Sequence, residues 1–116
     1  MNTPDIPARI SIEGRVMIMR KTYWSQRFAQ IKDAIFSYKK DKSDTNVRQI
    51  IDLRKARISK GARSNGDPFF IIAIDNLAVS LRPDSIEEYK RWAAVLAESI
   101  KSDERYLQDK MAPIKV

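Results

Sequence analysis

Apolar and polar positions begin to alternate at residue 10. Ile10, Ile12, Gly14, Val16 and Ile18 share one parity, and Arg20 closes the row. Residues two apart in an extended chain face the same way, so this stretch predicts a long strand with one buried face and a bend or bulge at Gly14. Trp24–Lys32 and Ala34–Lys40 alternate again and predict a hairpin joined at Lys32-Asp33. The charged run from Lys39 to Asn46 reads as a loop, Val47–Leu53 as a fourth strand, and the stretch around Ile58 as a fifth. A glycine-punctuated loop follows. Phe69–Ile74 and Leu77–Arg82 then pair across Asp75-Asn76, a dipeptide suited to a tight turn.

After the seventh strand the period changes from two to between three and four. Ile86, Tyr89, Trp92, Ala93, Leu96 and Ile100 form the apolar stripe of an amphipathic helix. Ser85 and Glu88 have the spacing of a capping box, and Asp84, Glu87 and Glu88 suit the positive end of the helix dipole. The pattern predicts a mainly β domain with one C-terminal α-helix: a seven-stranded bent antiparallel sandwich or partly open barrel, capped at one end by the helix. Residues 1–9 read as an irregular lead-in, 10–101 as a single domain, and 102–116 as a tail that adds at most a helical turn before Pro113.

The parities raise a question about one end of this barrel. Arg20 ends the inward row of strand 1, and Arg27 stands in the row of Ala29 and Ile31 on strand 2. Lys40 ends the parity of Phe36 and Tyr38, and Arg48 shares the parity of Ile50. Four unpaired cations inside a core would be prohibitive. They are expected instead at a mouth where the core face opens to solvent and presents a preorganised site for an anion.

Charge sharpens that expectation. The 116 residues carry a net charge of +7. Between Arg20 and Arg63 stand 13 Lys and Arg against 4 Asp and Glu, whereas the rest of the chain has 9 against 11. The whole positive excess lies in one middle segment, an electrostatic footprint for an anionic partner. The chain has no cysteine and no histidine. That removes thiolate nucleophiles, histidine acid–base chemistry and the usual zinc sites, so neither an enzyme nor a metal or other cofactor is expected. The segment Asp41–Asp44 is too short for an EF-hand loop, and Gly61–Gly66 lacks the Lys-Ser/Thr ending of a phosphate-binding loop. Nucleic acid is a weaker partner, because no helix-turn-helix pattern or stacking platform accompanies the charge. No apolar run reaches the length of a membrane span. Residues 1–10 carry no signal pattern, and Asn2 stands where myristoylation requires a glycine. A cytoplasmic domain acting at a membrane surface is the expectation.

From Ile10 to Lys101 the sequence resembles a pleckstrin homology (PH) domain. The resemblance rests on Glu13-Gly14-Arg15-Val16 in strand 1 and Trp24-Ser25-Gln26-Arg27-Phe28-Ala29-Gln30-Ile31 in strand 2. It continues through Phe36-Ser37-Tyr38, Arg48-Gln49-Ile50-Ile51-Asp52-Leu53 and the helical Trp92. It implies a site for a phosphoinositide or other anionic headgroup between the loops joining strands 1–2 and 3–4, with Arg27, Tyr38 and Arg48 matching the family's phosphate-contacting positions. Arg20, Lys21 and Lys40 complete the expected set, and Tyr23 is the expected membrane-contacting aromatic of the first loop. Ile18 and Ser25 stand where the family usually has lysines. That departure shifts the expected ligand from a particular polyphosphoinositide toward a simpler anionic lipid such as phosphatidic acid. The chain also resembles the small acylated apical PH-domain proteins of apicomplexan parasites, which bind phosphatidic acid, although it lacks their acylated glycine. The alternative is a protein–protein interaction module of the same fold, since many PH domains bind protein partners rather than lipids.

Overall fold

The computed structural model describes residues 11–111, and from Lys101 onward only the backbone of the helix. Ile10, the lead-in 1–9 and Pro113 lie outside the described residues. The strands are β1 (Ile12–Met19), β2 (Trp24–Lys32), β3 (Ile35–Lys39), β4 (Val47–Asp52), β5 (Arg57–Ala62), β6 (Pro68–Ile74) and β7 (Leu77–Pro83). They form one open antiparallel sheet in the order β4-β3-β2-β1-β7-β6-β5, followed by the helix α1 (Ile86–Met111). Strand β1 is the hinge of the sheet. It pairs with β2 along its whole length but with β7 only through Val16–Met19.

The buried face collects Val16 and Ile18, Ala29 and Ile31, Phe36 and Tyr38, Ile51, Phe70 and Ile72, Val79 and Leu81 from six of the strands, and Ile58 of β5 packs against it partly buried. Helix α1 packs on this face near β1 and β7 and against a 3₁₀ turn, Leu53–Lys55. Trp92 is fully buried, and the Tyr89 ring stacks on Phe70 with centroids 4.4 Å apart.

Several local expectations change. Gly14 marks no bulge, because the β1–β2 register runs unbroken through its pairing with Ala29. The register shift falls instead between β3 and β4: Tyr38 pairs with Gln49 and Lys39 with Val47, so Arg48 is the extra residue of a bulge. The inward partner of Phe36 is Ile51, whereas Ile50 is 63% exposed. Adjacent isoleucines make either parity of β4 readable as the apolar one, and only pairing with the short β3 decides between them. The row shared by Arg48 and Ile50 is therefore not the core row.

The β2–β3 turn is Asp33-Ala34 rather than Lys32-Asp33, with both residues at positive φ (53° and 66°). This is the hand of turn that suits the twist of paired strands. The Ala34 carbonyl also accepts the Leu53 amide at 2.8 Å, tying the turn to the 3₁₀ segment. At the start of α1, the Glu88 amide donates to Ser85 Oγ at 3.1 Å. The Glu88 carboxylate instead takes Arg91 at 2.7 Å, so only half of the expected capping box is seen. Ile86, in the first turn, is 53% exposed and leaves the apolar stripe, which begins at Tyr89. The helix continues without a break through 102–111, where the sequence suggests a separate tail.

Candidate functional site

Strand β2 is longer than its neighbour β3. The last β2–β3 pair is Phe28 with Lys39, so the first four residues of β2 run beyond the end of β3. The inward positions of that overhang, Ser25 and Arg27, face β1 on one side and open space on the other. Here the core face ends in a cavity of about 190 Å³. Ile18, Ser25 and Tyr38 line it from the strands, and Arg20, Lys21, Thr22 and Tyr23 line it from the β1–β2 loop. Arg27 lines it as well, half-buried, with Nη1 donating to the Gln26 carbonyl at 2.8 Å.

The lining holds three cations and no carboxylate. Arg20 and Lys21 are exposed at the rim, whereas Tyr38 is 4% exposed and stands at the base. Among the described residues, Arg20, Lys21 and Arg27 have no ion-pair partner, whereas Arg54, Arg63 and Arg91 pair with Asp52, Asp67 and Glu88. A concave site with uncompensated positive charge, hydroxyl donors and an apolar floor can hold a phosphate-bearing headgroup. Tyr23 stands beside it, 73% exposed, the most exposed large apolar side chain among the described residues. At the base of the same loop, Trp24 meets the Phe69 ring edge-on at 5.3 Å and lies under the Arg82 guanidinium at 5.0 Å. These contacts fasten the loop's return to the sheet and make Trp24 a structural residue.

Arg20, Lys21, Tyr23, Arg27 and Tyr38 are thus brought together as expected from the sequence. Lys40 is not in the mouth. It lines a neighbouring groove that also includes Arg27. Arg48 lines neither cavity; it is exposed on the bulge of β4. Lys40 follows the last residue of β3, and the chain turns there into a loop ordered by Asp41. The Asp41 carboxylate accepts from the Ser43 hydroxyl at 2.8 Å and from the Ser43 and Asp44 amides at 3.1 Å. The Ser43 hydroxyl bond is the main cause that holds the Asp41 pKa below its ordinary value. Thr22 and Ser25 also line the mouth although neither is among the site residues expected from the sequence. Ser25 shares the parity of Arg27, Ala29 and Ile31, which places it on the same face.

No family model and no curated sequence matches the chain. Solved structures do. The N-terminal PH domain of human ARAP2 aligns over 87% of both chains with 16% identity and a TM-score of 0.65. The PH domain of human oxysterol binding protein-related protein 11 aligns over 84% of this chain and 85% of its own, with 17% identity and a TM-score of 0.68. The pleckstrin homology domain of ArhGAP27 aligns over 78% of this chain and 99% of its own, with 16% identity and a TM-score of 0.65. These matches do not point to the apicomplexan group. With seven antiparallel strands in one open sheet and one C-terminal α-helix among the described residues, the chain has the pleckstrin homology fold.

Proposed function

We propose that this domain is a membrane-targeting module that binds the headgroup of an anionic phospholipid, phosphatidic acid or a phosphoinositide, in the mouth beside Arg27. The fold is commonly that of a lipid- or protein-interaction module, and the site favours lipid. The observation that carries the reading is a cavity lined by Arg20, Lys21 and Arg27 without a carboxylate, with exposed Tyr23 at its lip. In this reading Arg27 and the loop cations hold phosphate oxygens, and the Tyr38 hydroxyl donates from below. Tyr23 enters the interfacial layer while the cations stay at headgroup depth. Each basic side chain close to an acidic leaflet adds about 1 kcal/mol of attraction, so the surrounding positive segment strengthens a modest pocket. The working location is the cytoplasmic face of a membrane.

Liposome co-sedimentation of wild type and Arg27→Ala tests this. Neutral vesicles would be doped separately with phosphatidic acid, phosphatidylserine and individual phosphoinositides, at low and physiological salt. The expected result is capture by one lipid class at physiological salt, lost in the variant. Capture by every acidic lipid, fading with salt and indifferent to Arg27, would leave only a basic surface. A second reading, a protein-interaction module, draws on Val47 and Ile50, which are 50% and 63% exposed on the edge strand β4. Absence of all vesicle capture would favour it.

A further inference from the structure

The groove that takes Lys40 away from the mouth lies on the other side of the overhanging end of β2. Its floor is the face of the sheet opposite the core. Arg15 on β1 pairs with Phe28 on β2, and Gln26 pairs with Met17, so all four lie on the parity opposite Val16, Ile18 and Ala29. The β3–β4 loop forms its wall with Lys40, Asp41, Lys42 and Ser43, enclosing about 370 Å³ against 190 Å³ for the mouth. Arg27 lines both cavities.

Charge in the groove is as unbalanced as in the mouth. Arg15, Arg27, Lys40 and Lys42 face one carboxylate, Asp41. That carboxylate already accepts three hydrogen bonds, from the Ser43 hydroxyl and the Ser43 and Asp44 amides, which brace the loop. Among the described residues, none of the four cations has an ion-pair partner. Lys39, by contrast, is committed to the Phe28 ring, with Nζ 5.9 Å from its centroid. Four cations held around one concavity, on two strands and a cross-braced loop, repel one another unless an anion enters. Arginine and lysine together supply the forked and point-charge donors that phosphate oxygens take.

We propose that this groove is a second phosphate-binding site, distinct from the mouth, and that Arg27 is the shared wall between the two. Its ligand is a phosphate monoester or diester, supplied either by a second lipid headgroup or by a free phosphorylated metabolite. Occupation of one site lowers the positive potential at Arg27 and so weakens the other at low salt, unless both phosphates belong to one membrane surface. The inference rests on the phosphate chemistry proposed for the mouth but stands or falls separately from it.

The test is an amide-shift titration of the ¹⁵N-labelled full chain with glycerol 3-phosphate and, in parallel, inorganic phosphate. It compares wild type with Arg15→Gln/Lys42→Gln and with Arg20→Gln/Lys21→Gln. All four substituted residues are exposed, and spectral dispersion checks that each variant folds. The expected result is two groups of shifts, residues 20–23 with Tyr38 and residue 15 with 40–44. The groove variant should weaken binding in the second group about tenfold, equivalent to 1.4 kcal/mol, and leave the first within about twofold. Shifts confined to the first group, or a second group that vanishes only with the Arg20/Lys21 variant, would overturn the inference and leave the mouth intact. Shifts in the second group alone would uphold it and remove the mouth. No shift in either group would overturn both. Vesicles with and without phosphatidic acid then separate the sources. Loss of capture in the groove variant assigns the site to lipid, and unchanged capture in that variant, alongside loss of its second group of glycerol 3-phosphate shifts, assigns it to a free phosphate ester.

Discussion

Arg27 lies directly opposite Val16 in the β1–β2 ladder, a half-buried cation paired with a side chain of 0% exposure. This pairing is tolerated because β3 stops one residue short of Arg27: its last residue, Lys39, pairs with Phe28. On that side the guanidinium has no neighbouring strand and is hydrated or ligated rather than buried. The length difference between β2 and β3 thus opens a core-row position to the mouth.

Tyr23 should separate headgroup recognition from membrane insertion. Tyr23→Ser is expected to weaken capture by anionic vesicles about tenfold, because a largely exposed ring loses its interfacial burial. Binding of a soluble short-chain headgroup analogue, measured by calorimetry, should stay within about twofold. Equal losses in both assays would place the ring in the headgroup pocket itself.

Ala34 occupies the left-handed region at φ 66°. That conformation costs a residue with a Cβ roughly 1–2 kcal/mol, partly offset for glycine by its greater freedom in the unfolded chain. Ala34→Gly is therefore expected to stabilise the domain by about 0.5–1 kcal/mol in urea denaturation, with the slope of the transition unchanged. A lower midpoint would mean that the Ala34 methyl packs usefully.

Asp52 caps the 3₁₀ turn, accepting from the Arg54 amide at 3.0 Å and from its guanidinium at 2.9 and 3.0 Å. The Arg54 side-chain bond is the main cause of a pKa depressed below the ordinary 3.8. A depressed carboxyl contributes stability that is complete above its unfolded pKa and lost as the pH falls through its folded one. The urea midpoint should hold from neutral pH down to about 5 and fall below 3.8. In Asp52→Asn that fall should be shallower, with a lower midpoint at pH 7. Identical acid limbs in the two proteins would remove Asp52 as its source.

Trp92 is fully buried between α1 and the sheet. Trp92→Ala should cost about 3–5 kcal/mol, a large share of the 5–15 kcal/mol typical of a whole domain. Thermal denaturation followed by far-UV circular dichroism would show a much lower midpoint or no cooperative transition. Retention of the wild-type midpoint would mean that the helix is dispensable for the sheet.

Most of the fold can be read from short-range pattern. Period two over seven segments, the switch to a helical stripe and Ser85 at the cap are properties of neighbouring residues, so strands β2, β6 and β7 begin and end within about one residue of their expected limits. The convergence of Arg20, Lys21, Tyr23 and Arg27 follows from the same logic, because one hairpin holds them all. Arg48 and Lys40 depended on something no local pattern contains. In the run Val47-Arg48-Gln49-Ile50-Ile51, either alternate set can serve as the core row. Pairing Phe36 with Ile51, and the bulge that follows, chose the row and set Arg48 apart. Lys40 left the mouth because β3 ends at Lys39 and Asp41 folds the next loop over the opposite face. Strand, helix and cation are written into neighbouring positions and can be read along the chain. Register, strand length and loop closure are set by contacts between distant segments, so which cations share a cavity is settled only when the chain has folded.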